Sequence, residues 1–236
     1  MRMRTLLVPV AAAATLLLAG CTGAPNPDAT STPTPTTNGL EAMSADEILE
    51  AAEEALTEAE SVHVSGTVGE GAEAITLGIT YAGANAVGTI ELFGVAADIR
   101  KLGNDVYVKA ADTSLYEQFL TDEQKALLPL IANKWVKVNA GLAVMFIPGV
   151  PLTVEQFTVH TPPLEKGEVT EVDGTPAITV TDADGQSYAV AIVGEPYILE
   201  STYEGSTLTF SDYDKSVTIE APAEADVVDV MALLAG

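Results

Sequence analysis

The sequence predicts an α+β domain in which a long antiparallel meander follows a single amphipathic helix. Three observations carry this expectation. Apolar and polar residues alternate over many short runs, the period of strands with one buried face. Asp-Gly pairs separate such runs at Asp173-Gly174 and Asp184-Gly185, and both positions of a tight hairpin turn require a residue that tolerates positive φ. Just ahead of the first run, the apolar period is helical instead.

Ser44-Ala45-Asp46-Glu47 reads as a capping box, with Ser44 as N-cap and Glu47 reaching back to it. Ile48, Ala52, Ala55, Leu56 and Ala59 then form one stripe, and Glu50, Glu53, Glu54 and Glu58 occupy the opposite face. Such a helix must lie on something, and the residues C-terminal to it have the pattern of a sheet. In "SVHVSGTV", Val62, Val64 and Val68 alternate with polar residues, and Gly66 permits a bend. Ile75, Leu77, Ile79 and Tyr81 keep the period of two. Residues 87–93, 95–101 and 105–110 extend it in short segments. The C-terminal third breaks into further strands at Asp173-Gly174, Asp184-Gly185, Gly194-Glu195-Pro196, Glu204-Gly205 and residues 212–215.

Two pieces interrupt the meander. Residues 113–132 suggest one or two helices with Leu115, Phe119, Leu127, Leu128 and Ile131 as their apolar contacts. "GLAVMFIPGVPL", residues 141–152, is a continuous apolar run broken by Pro148 and Pro151. The prolines prevent a regular helix throughout or a central strand. A surface loop this apolar is costly, so it either plugs the core or borders an apolar cavity. Trp135 borders a cavity or anchors the core, and "ADVVDVMALLAG" at the C-terminus either docks as a short helix or frays.

Residues 1–20 have the three parts of a secretory signal: Arg2 and Arg4, an apolar stretch, then Ala19 and Gly20. The apolar stretch is shorter than the roughly 20 residues of a membrane span. Leu18-Ala19-Gly20-Cys21 resembles the lipobox of bacterial lipoproteins, and Cys21 is the only cysteine in the chain. The lipobox implies a diacylglyceryl group on the Cys21 sulfur and an exported protein anchored to the outer face of the cell membrane. Two acyl chains hold a protein there stably where one does not, at about 0.8 kcal/mol per buried methylene. Residues 21–43 then form a Thr/Pro-rich spacer that cannot bury a core, and residues 44–236 form the domain.

Removing Arg2 and Arg4 with the signal leaves eight basic residues against 34 acidic ones, a formal charge of about −26. Nucleic-acid binding needs clustered Lys and Arg and is disfavoured. Enzyme signatures are scarce. His63 and His160 stand nearly a hundred positions apart, and no HExxH, CxxC, phosphate loop or GxGxxG occurs. "GQSYA", residues 185–189, lacks the final glycine of a nucleophile elbow. Aligning the Gly185 of "DADG" with a calcium loop's glycine puts Val180 and Ala191 at ligand positions, so that pattern fails too. The expectation is a protein that is not an enzyme and holds neither metal nor dissociable cofactor.

The order of the pieces is more specific than any one of them. A lipobox, a Thr/Pro linker, "SADEILEAAEEAL", "VHVSGTV", "NDVYVK", a helical insertion and "NKWVKV" together resemble the LppX/LprAFG group of actinobacterial lipoproteins over residues 44–221. That group is similar to the LolA/LolB carriers. The resemblance implies a strongly curved antiparallel half-barrel sheet with helices on its concave side and an apolar cavity between them. It implies that acyl chains of a lipid or lipoglycan occupy this cavity and are carried across the envelope. Transfer of a palmitate-length, 16-carbon chain into water costs on the order of 12 kcal/mol, which an unfilled apolar cavity avoids without any catalytic group. Candidate walls are Leu77, Ile79, Ile90, Leu92, Ile99, Val106 and Val108, with Leu142, Val144, Phe146 and Ile147 near the mouth; plain core packing accounts for each equally well. The alternative is a non-transport surface lipoprotein, a sensor or scaffold with a filled core. The lipid itself and any envelope transporter it is passed to leave no trace in the sequence.

Overall fold

The computed structural model describes residues 36–71 and 74–235. The signal segment, Cys21 and most of the Thr/Pro spacer therefore lie outside the described residues. The remainder of the chain, from Pro35 on, is one compact unit. Its helices are α1 (Ala45–Glu58), α2 (Ser114–Glu117), α3 (Leu128–Ile131), α4 (Ala140–Phe146) and α5 (Val230–Ala235). Its strands are β1 (Val62–Val68), β2 (Ile75–Ala82), β3 (Asn85–Leu92), β4 (Val95–Leu102), β5 (Asp105–Ala110), β6 (Trp135–Asn139), β7 (Glu165–Val172), β8 (Thr175–Thr181), β9 (Ser187–Ala191), β10 (Ile198–Tyr203), β11 (Ser206–Ser211) and β12 (Val227–Asp229).

Among the described residues these twelve strands form one curved, unclosed sheet, in the order β12-β6-β5-β4-β3-β2-β1-β11-β10-β9-β8-β7. Two meanders, β1 to β6 and β7 to β11, are joined where β1 pairs antiparallel with β11, His63 opposite Ser211. β12 departs from the expected pattern: it runs parallel to β6, with Val228 opposite Val136. Residues 212–226 make the crossing between β11 and β12. Arg100 Nη1 on the outer face donates to Glu220 O at 2.9 Å, and Lys134 Nζ donates to Ala225 O at 2.8 Å.

Curvature needs backbones to approach closely, and two glycines permit it. Gly66 adopts φ +150°, and a Cβ there would meet the backbone of Thr207 and Leu208. A Cβ on Gly88 would stand 2.6 Å from the Ile79 Cα.

The inner face carries the core, one cluster running from Leu40 to Phe210. α1 begins as its sequence requires: Ser44 N donates to Glu47 Oε2 at 2.8 Å, and the Ser44 hydroxyl accepts from Glu47 N. It buries Ala45, Ile48, Leu49, Ala52 and Leu56 against β8, β9 and the 3₁₀ turn Val154–Phe157. The folded part starts earlier than Ser44. Asn38 donates its side-chain amide to Ala191 O at 3.0 Å, and Leu40 is 3% exposed and part of the core cluster. α4 lies over the other end of the sheet, against β5 and β6. Asn139 caps it, accepting from Leu142 N at 2.9 Å. No helix among the described residues is long and apolar enough to cross a membrane.

Candidate functional site: an apolar cavity under the insertion helices

The apolar run 141–152 does both things its composition allowed. Ala143, Ile147, Val150 and Leu152 are buried in the core. Pro151 O accepts from the Tyr81 hydroxyl at 2.8 Å, which holds this segment over β2. On its other side, Leu142, Met145 and Phe146 turn toward a cavity of about 240 Å³. The remaining walls come from further elements. Tyr116, Phe119 and Leu120 belong to α2 and the residues after it. Gln124 and Leu127 sit in the 3₁₀ turn Gln124–Leu127. Ile131 of α3 and Val136 of β6 close the depth of the cavity, and Val230 and Met231 of α5 close its edge. Phe119 stacks edge-on with Phe146, ring centroids 6.2 Å apart, and lies 6.3 Å from Phe93.

The two polar side chains in the wall are already engaged. The Tyr116 hydroxyl donates to Val108 O at 3.0 Å and accepts from Ala110 N at 3.2 Å. Burial pushes this phenol up to about 12, so it is neutral at physiological pH. Gln124 Oε1 accepts from Thr121 N at 2.9 Å. With no convergent polar partners, such a space stays dry and suits hydrocarbon. At about 30 Å³ per water-sized group, 240 Å³ takes about eight methylenes.

Of the residues expected to line a cavity, the structure brings two together there, Leu142 and Phe146. Leu77, Ile79, Ile90, Leu92, Ile99, Val106 and Val108 are each at most 3% exposed and belong to the packed core. The physical reason is the segment after α4. It crosses β2 closely enough that a Cβ on Gly149 would reach 2.8 Å from Ile75 Cδ1, so its own apolar side chains fill the space beneath. Ile147 is buried in that packing, and Val144 is 53% exposed beside the cavity mouth. The sequence pattern marks Phe119, Leu127 and Ile131 only as helix contacts. Gln124, Met145, Val230 and Met231 carry no signal there beyond neighbouring an apolar run.

No family model matches the chain, and no curated protein matches it. Among solved structures it is similar to LprF from Mycobacterium bovis, with a TM-score of 0.48, 15% identity, and cover of 76% of this chain and 97% of that one. It is also similar to the MucA/MucB complex of Pseudomonas aeruginosa, with a TM-score of 0.35, 16% identity, and cover of 77% and 59%.

Other candidate chemistry is spoken for. His63 Nδ1 lies 3.0 Å from the Thr80 hydroxyl on the outer face, and His160 Nδ1 lies 3.0 Å from Thr158 O and 3.5 Å from Glu53 Oε1. The carboxylate of Asp182 organises its own turn, accepting from the backbone of Asp184, Gln186 and Thr161 at 2.8–3.0 Å. Trp135 is on the face opposite the cavity, since it alternates with Val136, and the Arg100 guanidinium sits 4.9 Å over its ring. Among the described residues no three His, Cys, Asp or Glu side chains are grouped to hold a metal.

Proposed function

We propose that this protein is a lipid-anchored carrier that takes one acyl chain of a lipid or lipoglycan into the cavity beneath α4 and moves it within the cell envelope. The observation that carries this reading is an apolar space of about 240 Å³ whose two polar wall residues, Tyr116 and Gln124, are hydrogen-bonded to the surrounding backbone. Eight methylenes moved there from water recover about 6 kcal/mol, roughly half the transfer cost of a 16-carbon chain. Uptake of the whole chain from a bilayer is therefore uphill by about 6 kcal/mol unless the remaining methylenes keep apolar cover at the mouth, and release is not trapped behind a deep well. Carriage of this kind uses no catalytic group and no dissociable cofactor. The diacylglyceryl group on Cys21 supplies the tether, on the outer face of the membrane, and an envelope transporter is the partner that would accept the cargo.

The test fills the space. Leu142→Trp is expected to cut uptake of a fluorescent 16-carbon fatty acid at least tenfold while leaving the circular dichroism spectrum unchanged. Native mass spectrometry of protein extracted in mild detergent is expected to show a co-purifying lipid. Empty spectra, together with no fatty-acid uptake by the unmodified protein, would leave the sensor or scaffold as the better reading.

A further inference from the structure

We infer that the rim of this cavity is a docking surface for a lipid bilayer, and specifically for an electrically neutral one. The inference rests on the carrier reading; the exposed residues it starts from are observed. Leu130, Val144, Met145 and Met231 are 54, 53, 60 and 46% exposed. Met145 and Met231 also line the cavity, Val144 adjoins Met145 on α4, and Leu130 lies on α3 beside Ile131 of the cavity wall. Single exposed apolar residues need no explanation, but a group around an opening does.

Charge selects the occupant. Residues 126–133 and 138–154 contain no Asp, Glu, Lys or Arg, in a chain where 44 of 236 residues are charged. A protein partner seated on this patch would cap the opening. A bilayer leaves it in contact with hydrocarbon, which is what a cavity for about half a 16-carbon chain requires, since the other half must lie at the mouth. Flexible methionines suit so irregular a boundary. The tether allows the orientation. Cys21 and Asn38 are 17 positions apart, a contour of up to about 60 Å, against a radius of gyration of about 16 Å for a domain of this size. The chain's net charge of −24 opposes approach to anionic lipid and leaves neutral lipid as the favoured surface.

The experiment uses the chain from residue 21 onward with Cys21→Ser, which removes the acyl anchor. It is expected to partition onto phosphatidylcholine vesicles independently of salt. On vesicles containing phosphatidylglycerol, binding is expected to be weaker at low salt and to rise as salt is added. Leu130→Asp with Val144→Asp, neither of which lines the cavity, is expected to reduce partition at least tenfold while fatty-acid uptake from solution is unchanged. Equal partition of the double variant would overturn docking and leave the carrier reading intact. Retained docking without fatty-acid uptake by either protein would uphold docking and remove the carrier reading. Dimerisation that the double variant abolishes, without vesicle binding, would overturn docking in favour of a second copy of this chain.

Discussion

Gly88 shows how much of this fold rests on the absence of one methyl group. Its Cβ would meet the backbone of Gly78 and Ile79, with Ile79 Cα at 2.6 Å, and a strand backbone cannot give way as a flexible side chain can. Gly88→Ala is expected to destabilise the domain by about 2–4 kcal/mol, measured by urea unfolding. Asp182 makes the opposite point about a charged group. Burial pushes its carboxyl up, but the backbone N–H groups of Thr161, Gln186 and Asp184 outweigh that and leave it below its ordinary 3.8. A depressed carboxyl stabilises the fold fully above its unfolded value and loses that contribution as pH falls through the folded one. Asp182→Asn is therefore expected to cost about 2–3 kcal/mol at pH 7 and distinctly less near pH 3, compared by urea unfolding at both values. The sequence showed Asp182 as part of a turn, but nothing in "DADG" revealed that its oxygens collect Thr161, because that contact spans 21 positions.

At the scale of elements, legibility followed locality. α1 was readable because its cap and its stripe lie within one run of residues: the cap formed as written, and Ile48, Ala52 and Leu56 are buried as expected, while Ala59 falls past the end of the helix and Leu49 joins the buried face instead. Ser44→Ala is expected to cost about 1 kcal/mol, a fall of about 2–4 °C in Tm for a domain of this size, observed by calorimetry. The hairpins were equally local, with Asp173-Gly174 and Glu204-Gly205 in the positive-φ conformations that their turns demand. β12 was illegible for the same reason in reverse. "VVD" is three residues long, and it forms a strand because β6 offers an edge, with Lys137 placed 3.1 Å from Asp105 and 3.9 Å from Asp229. The turn at Leu40 is likewise tied to distant residues, with Asn38 donating to Ile192 O and Ala191 O.

At the scale of the whole molecule, the curved sheet with helices on its inner side was what the resemblance of the segments implied and is what the chain forms. The position of the cavity was not. Two halves of similar composition end differently. Beside the 3₁₀ turn that α1 packs on, Tyr81, Phe157 and Phe210 close edge to face at 5.5–5.6 Å. Under α4, the aromatic group of Phe93, Phe119 and Phe146 stands to one side and leaves a gap. Whether apolar walls meet or part is decided by how short helices seat on a bent sheet, and residue type alone does not encode it. The β1–β11 junction carries a further consequence, one of timing. His63 and Ser211 are neighbours across 148 positions, so the seam at the middle of the sheet closes only when two distant parts of the chain have been brought together. Until that pairing forms, β1 presents an unpaired edge, and a pairing of such long sequence separation is expected to be slow.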